Sequence, residues 1–125
     1  AQGNIAAAEA TLDSLPADEQ DKPEVAALRS QLFFEGQVVD APAATELEAK
    51  LAVDPGDTQA LFQLALRKVV DRDYETGMQL LLKLMQLDRS FGDDAGRHGL
   101  LKVFELLGDD ARVNQYRRRM ASLLH

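Results

Sequence analysis

The sequence has 125 residues, of which 46% are hydrophobic; it contains neither cysteine nor tryptophan and carries a formal net charge of −7. A chain of this length builds one core, and a core of Leu, Ala and Val without Trp favours helices over sheets. The lack of cysteine excludes disulfides, thiolate metal sites and thiol catalysis, and the negative charge argues against nucleic acid or an anionic membrane as the main partner.

Seven helices are predicted in chain order, at residues 3–14, 23–37, 42–53, 57–71, 73–88, 93–107 and 110–124. Pro23, Pro42 and Pro55 stand at or just before a first helical turn, where the missing N–H of proline costs nothing. Gly108 suits a helix end. The links are short, so successive helices are expected to lie antiparallel as hairpins.

Small residues recur along the chain at intervals of 35 and then 34 positions, and a leucine follows each of them by four positions. The pairs are Ala8 and Leu12, Ala43 and Leu47, and Gly77 and Leu81. A small residue one turn before a large one allows a helix to approach its neighbour closely and then fill the groove beside it. This period predicts a stack of two-helix repeats.

Residues 58–91 resemble one repeat of the tetratricopeptide family. Leu61, Leu64 and Ala65 take the places of the Trp, Leu and Gly in its first helix, and Arg-Asp-Tyr at 72–74 is similar to its Gly-Asp-Tyr turn. The resemblance implies an all-α, right-handed stack of antiparallel helical hairpins. We expect a single domain, residues 1–125, divided into a partial repeat 1–22, a repeat 23–57, a repeat 58–91 and a capping hairpin 92–125.

The last predicted helices differ in the arrangement of their apolar residues. The helix at 73–88 is apolar nearly all round, which predicts that neighbouring helices cover it on both sides. The helix at 110–124 instead carries one apolar stripe that includes Val113, Tyr116 and Met120. This pattern predicts a capping helix with its arginines turned to solvent.

Four segments look like the bacterial YbbN/CnoX thioredoxin-like proteins. They are Gly-Asn-Ile-Ala-Ala-Ala-Glu-Ala at 3–10, Asp-Arg-Ser-Phe-Gly-Asp-Asp-Ala-Gly-Arg at 88–97, Val-Phe-Glu-Leu-Leu-Gly at 103–108 and Tyr-Arg-Arg-Arg-Met-Ala-Ser-Leu-Leu at 116–124. The resemblance implies a thioredoxin-fold domain before residue 1, so we expect a piece of a longer cytoplasmic protein. It further implies a co-chaperone of the stress response, which holds unfolding proteins and passes them to the chaperonin and the Hsp70 system.

No constellation in the sequence indicates an enzyme, a cofactor or a metal site. His98 and His125 are the only histidines, and no cysteine supports them as ligands. The pairs Asp93-Asp94 and Asp109-Asp110 each open a predicted helix, where aspartate caps free N–H groups, so capping is favoured over acid–base chemistry.

Glycines at 92, 96 and 99 do not have the spacing of a nucleotide-binding loop, and no strand precedes them. Close helix packing is the favoured interpretation. Four phenylalanines, Phe33, Phe34, Phe62 and Phe91, could form an apolar binding surface, although most of them are expected in the core.

The candidate protein-binding residues are Tyr116, Arg117, Arg118 and Arg119. The default interpretation of the three arginines is a solvated face, but arginine suits docking to carboxylates on a partner, and the family resemblance points to the terminal helix as a chaperonin contact. The first 60 residues carry a net charge of −9, which fits either a solubilising surface or a binding surface for unfolded segments. Two other functions stay open: a peptide-binding adaptor unrelated to chaperones, and the targeting arm of an upstream thiol-disulfide oxidoreductase.

Overall fold

The computed structural model describes residues 2–124. They form eight α-helices and no β-strand: α1 Gln2–Asp13, α2 Ala17–Gln20, α3 Pro23–Val38, α4 Ala44–Val53, α5 Thr58–Val70, α6 Tyr74–Leu87, α7 Ala95–Leu107 and α8 Ala111–Leu123. The all-α prediction is confirmed. Helix α2 was not predicted from the sequence. It has four residues and buries none of them, so its sequence shows no apolar periodicity. None of the helices in residues 2–124 has the length and apolar character that crossing a membrane requires.

Aspartate side chains begin three of the helices. The Asp57 carboxylate accepts a hydrogen bond from the Ala60 N–H at the start of α5, and that of Asp73 accepts one from the Thr76 N–H at the start of α6. The Asp110 carboxylate accepts a hydrogen bond from the Arg112 N–H at the start of α8. Each cap satisfies a backbone N–H that the first helical turn leaves without a partner.

Helices α4 to α8 follow the predicted zigzag, because each packs against the next along the chain. α6 also contacts α8, and α5 contacts α7. Consequently α6 is covered from several sides, and its residues Met78, Leu81, Leu84 and Met85 are buried. The prediction that this apolar helix lies between neighbours is confirmed.

Helix α3 departs from the predicted arrangement. A hairpin over residues 23–57 requires α3 to pair with α4, but α3 makes its main contacts with α5 and α7, while α1 and α2 pack against α3. Phe34 and Val38 of α3 join the core formed with α5 to α8, whereas Leu47 of α4 joins a separate small cluster with α5. The side chain of Arg67 in α5 also holds the link between α3 and α4, donating to the carbonyl oxygens of Ala41 at 2.6 Å and Pro42 at 2.9 Å.

The Asp93-Asp94 pair does not cap α7. Gly92, Asp93 and Asp94 have φ angles of 57°, 58° and 69°, so the chain passes through three successive left-handed residues before the helix. Asp94 stands at the N-cap position, but its side chain accepts no capping hydrogen bond. The capping prediction is therefore wrong for this pair: the residue at the N-cap position is left-handed, and its carboxylate lies 3.5 Å from Arg97 Nη1 and accepts no N–H of the first turn. The prediction is confirmed for Asp110.

Candidate protein-binding surfaces

The four residues predicted to bind a partner separate into one core residue and three surface residues. Tyr116 is fully buried, and its hydroxyl donates to Glu75 Oε1 at 3.4 Å, so it cannot reach a partner. This corrects the sequence-based assignment, in which the tyrosine was grouped with the arginines that follow it. Arg117, Arg118 and Arg119 are exposed on α8.

The three arginines do not form one continuous face. Successive helical residues are turned by about 100°, so three in a row spread over more than half of the helix circumference. The Arg117 guanidinium carbon lies 5.3 Å from the centroid of the Phe104 ring on α7, and that of Arg119 lies 4.8 Å from the centroid of the Tyr116 ring. Both distances allow cation–π contact, which restrains these two side chains. Within residues 2–124, the Arg118 side chain forms neither an ion pair nor a ring contact.

Arg119 lies beside a groove between α6 and α8. The groove has a volume of about 520 Å³, and its lining includes Lys83 and Gln79 of α6 together with Leu82 and Leu123. No carboxylate of the described chain lines it or pairs with Lys83 or Arg119. An otherwise acidic chain thus presents at α6 and α8 a basic groove that is lined in part by leucines, a surface suited to a partner carrying carboxylates.

A bidentate pair between Arg112 and Asp110 fixes the start of α8. Arg112 donates from Nε to Asp110 Oδ1 at 3.0 Å and from Nη2 to Oδ2 at 2.8 Å, and its backbone N–H also donates to Oδ1. These hydrogen bonds lower the pKa of Asp110 from 3.8 to about 2, and the side-chain hydrogen bonds with Arg112 have the largest effect. The same pair raises the pKa of Arg112. Arg112 is therefore occupied within the chain, and the basic surface consists of the later arginines.

The lowered pKa predicts how Asp110 affects stability at acidic pH. Because the folded pKa lies below the ordinary value, the carboxylate contributes stability above pH 3.8, and this contribution is lost as the pH falls towards about 2. We expect Asp110→Asn to lower the melting temperature at about pH 5. The difference in melting temperature between the variant and the native chain is expected to disappear at about pH 2. Asp109→Asn is the matched control. Calorimetry across this pH range checks the prediction, and a difference in melting temperature that stays constant with pH would contradict it.

Three of the four phenylalanines border an open cavity, and two of these, Phe33 and Phe62, also pack against the core. Phe34 is buried, but Phe33 of α3, Phe62 of α5 and Phe91 of the α6–α7 link are half-buried. They line a cavity of about 380 Å³, here named the phenylalanine cavity, together with Gln37, Gln59 and His98. Helix α3 packs against both α5 and α7 and therefore covers part of the surface that these two helices share. The phenylalanine cavity lies where α3 leaves this surface uncovered.

The phenylalanine cavity could not be found from helical periodicity. Phe33 and Phe34 are adjacent and lie on different sides of α3, and only the position of α3 across α5 and α7 decides which of them is covered. His98 lies at the cavity rim, and residues 2–124 contain no group of three or more His, Asp and Glu side chains that could hold a metal ion. His125, the other histidine, lies outside the described residues.

The glycines at 96 and 99 serve close helix packing, as the sequence indicated. A Cβ added at Gly96 would lie 2.9 Å from Met85 Cγ, and one at Gly99 would lie 3.0 Å from Leu81 Cδ2. Both contacts join α7 to α6. Gly92 differs from them, because it belongs to the left-handed turn that precedes α7.

Comparison with known proteins gives one family match. A family model described as tetratricopeptide repeat matches residues 37–125, which comprise α4 to α8 and the last two residues of α3. No curated protein and no solved structure matches the chain. The matched region is the part in which consecutive helices zigzag, and most of α3 lies outside it.

Proposed function

The chain belongs to the tetratricopeptide repeat family, and from this premise we propose that it is the interaction module of a thioredoxin-like co-chaperone. Repeats of this family generally mediate protein–protein interactions and are non-catalytic. In the proposed role the module holds unfolding client proteins and docks on the chaperonin or the Hsp70 system. The resemblance of residues 88–97 and 116–124 to the bacterial YbbN/CnoX proteins supports this proposal.

The observation that carries the docking proposal is the arrangement of α8. Its apolar stripe of Val113, Tyr116 and Met120 is buried against the repeats, while Arg118 and Arg119 are exposed at the end of the stack. A helix anchored on one side by core residues presents its outer side chains on a rigid support. Arginine on such a support forms geometrically defined hydrogen bonds with the carboxylates of a partner.

Reversing two of these charges tests the docking surface. We expect the double variant Arg118→Glu and Arg119→Glu to weaken binding to purified bacterial chaperonin by roughly tenfold or more, because like charges then oppose the partner's carboxylates. Surface plasmon resonance with immobilised chaperonin measures the affinity. Circular dichroism establishes that the helices persist.

The matched control is the double variant Lys50→Glu and Arg89→Glu, which changes the net charge equally at exposed positions outside α8. It is expected to leave the affinity within about twofold. Equal losses in both variants would show a response to net charge alone and would contradict a defined surface. Light scattering of a heat-unfolded client tests the holding role separately, and aggregation that the chain fails to reduce would count against it.

A peptide-binding adaptor unrelated to chaperones is the second candidate function, and the phenylalanine cavity is the observation that favours it. An adaptor binds one defined sequence with fixed stoichiometry, whereas a holding module binds many unfolded chains. Titration with unrelated unfolded proteins distinguishes the two, because only the adaptor rejects most of them.

A further inference from the structure

We propose that the phenylalanine cavity binds a single aromatic or large aliphatic side chain from an extended segment of a partner protein, and that it prefers segments in which acidic residues flank this side chain. The inference rests on the proposed interaction function and deepens it, because it specifies the chemistry of the segment that is held.

The cavity is large enough to admit a large apolar side chain, and its lining suits one. Its volume of about 380 Å³ lies near the lower end of the range found for small-ligand pockets, about 300–1,000 Å³. Phe33, Phe62 and Phe91 come from three separate parts of the chain, and each of them is partly exposed. Transfer of an apolar side chain from water to these rings is favourable, and aromatic side chains give the largest gain.

The walls of the cavity are held in place before any partner arrives. The Phe33 ring meets the buried Phe34 ring edge-on, with centroids 5.4 Å apart and an interplanar angle of 76°. Phe62 and Phe91 contact each other with centroids 5.9 Å apart. A preformed wall loses little side-chain entropy on binding, so more of the burial energy remains as affinity.

The charges around the cavity select the neighbours of the inserted side chain. The chain has 21 Asp and Glu residues, yet no carboxylate lines the cavity within residues 2–124. Lys102 does not line the cavity, but its Nζ lies 4.6 Å from the centroid of the Phe33 ring, which does, and it forms no ion pair in the described chain. An acidic residue beside the inserted side chain gains an interaction with Lys102 that a basic residue lacks.

Polar groups at the rim suit the backbone of an extended segment. Gln37 and Gln59 are exposed and line the cavity from α3 and α5. Each amide side chain both donates and accepts hydrogen bonds, so it can pair with a peptide N–H or C=O. An extended segment presents such groups, whereas a folded helix has already paired most of them.

Three short peptides test the proposal on the whole chain by two-dimensional NMR. Their central sequences are Glu-Phe-Glu, Lys-Phe-Lys and Glu-Ala-Glu, with acetyl and amide ends. We expect the first to shift the amide signals of Phe33, Phe62 and His98 and to bind about fivefold more tightly than the second. The third is expected to cause no saturable shift. Equal binding of the two phenylalanine peptides, or binding of the alanine peptide, would overturn the proposal.

Two variants locate the binding. Ala95 lines the cavity, so Ala95→Leu is expected to fill it and to weaken binding of the acidic peptide by roughly tenfold, while the control Ala52→Leu on the exposed side of α4 leaves it unchanged. If Ala95→Leu fails to fold, Lys102→Glu still decides the matter, because it is expected to make the lysine peptide the tighter ligand. An unchanged preference in Lys102→Glu would contradict the proposed charge selection.

The outcomes separate this inference from the proposed function. Chaperonin docking and client holding without peptide binding would overturn the cavity proposal alone, and peptide binding without either activity would overturn the co-chaperone role alone. Val53, the last residue of α4, is 88% exposed beside Asp54, so the end of this helix in a second copy is the alternative occupant. Analytical ultracentrifugation tests whether such a dimer forms. If a dimer forms, Ala95→Leu disrupts it and no peptide binds, the occupant of the cavity is a second copy of the chain and the proposed partner segment is ruled out.

Discussion

Replacing Leu81 with alanine is expected to lower the free energy of unfolding by about 3–4 kcal/mol, within the usual range for buried leucines. Leu81 is fully buried in α6, the helix that contacts α5, α7 and α8 together. Its side chain also lies where the missing Cβ of Gly99 allows α7 to come close. Shortening this side chain removes contacts with several helices at once and leaves a cavity that rigid neighbours cannot close.

Leu87→Ala provides the matched control on the same helix. Leu87 is the last residue of α6 and is 50% exposed, so its truncation is expected to cost less than about 1 kcal/mol. Urea unfolding followed by circular dichroism measures both variants. Similar losses at the two positions would mean that α6 is not enclosed by its neighbours as described.

The features that the sequence predicted well are those that depend on local periodicity. Leu47 and Leu81, the large members of two small–large pairs, are both fully buried, and Gly77 lies at a close helix contact. The small residue of the other pair, Ala43, is instead exposed at the N-cap of α4. The apolar residues on nearly all sides of α6 likewise predicted its enclosed position. These signals are readable because a residue's place in the helical period determines which side of the helix it occupies.

The features that the sequence did not predict depend on which helices meet in space. The position of α3 across α5 and α7 determines that Phe34 is buried while Phe33 borders a cavity, although the two residues are adjacent. Likewise Tyr116 and Arg117 are neighbours in sequence, but one enters the core and the other is exposed. Helical period separates such neighbours into two faces, but only tertiary packing shows how far each face is covered.

The same packing connects the fold to the proposed binding surfaces. α3 covers part of the surface shared by α5 and α7, and the phenylalanine cavity lies beside it, while the basic groove lies between α6 and α8. The two surfaces thus belong to different helix pairs. A client segment and a chaperone could engage separate sets of residues, and the arginine and cavity variants are expected to affect separate activities.

Gly77 lies at a close contact between α5 and α6, and replacing it with a larger residue is expected to disturb that contact. A Cβ at position 77 would lie 2.7 Å from Val69 Cγ2 and 3.2 Å from the carbonyl oxygen of Ala65. Val69 is buried and β-branched, so its side chain has no easy alternative rotamer, and the carbonyl belongs to the backbone of α5. The two helices must therefore move apart to accept any side chain here.

We expect Gly77→Val to lower the free energy of unfolding by about 3 kcal/mol, the upper part of the range for overpacked cores. Gly36→Val is the matched control, because Gly36 lies inside α3 and an added Cβ meets no atom within 4 Å. Valine forms helices slightly better than glycine does, so this control is expected to change stability by no more than about 0.5 kcal/mol. Denaturant unfolding of both variants measures the difference. A Gly77→Val variant as stable as the control would show that α5 and α6 do not depend on a glycine at their contact.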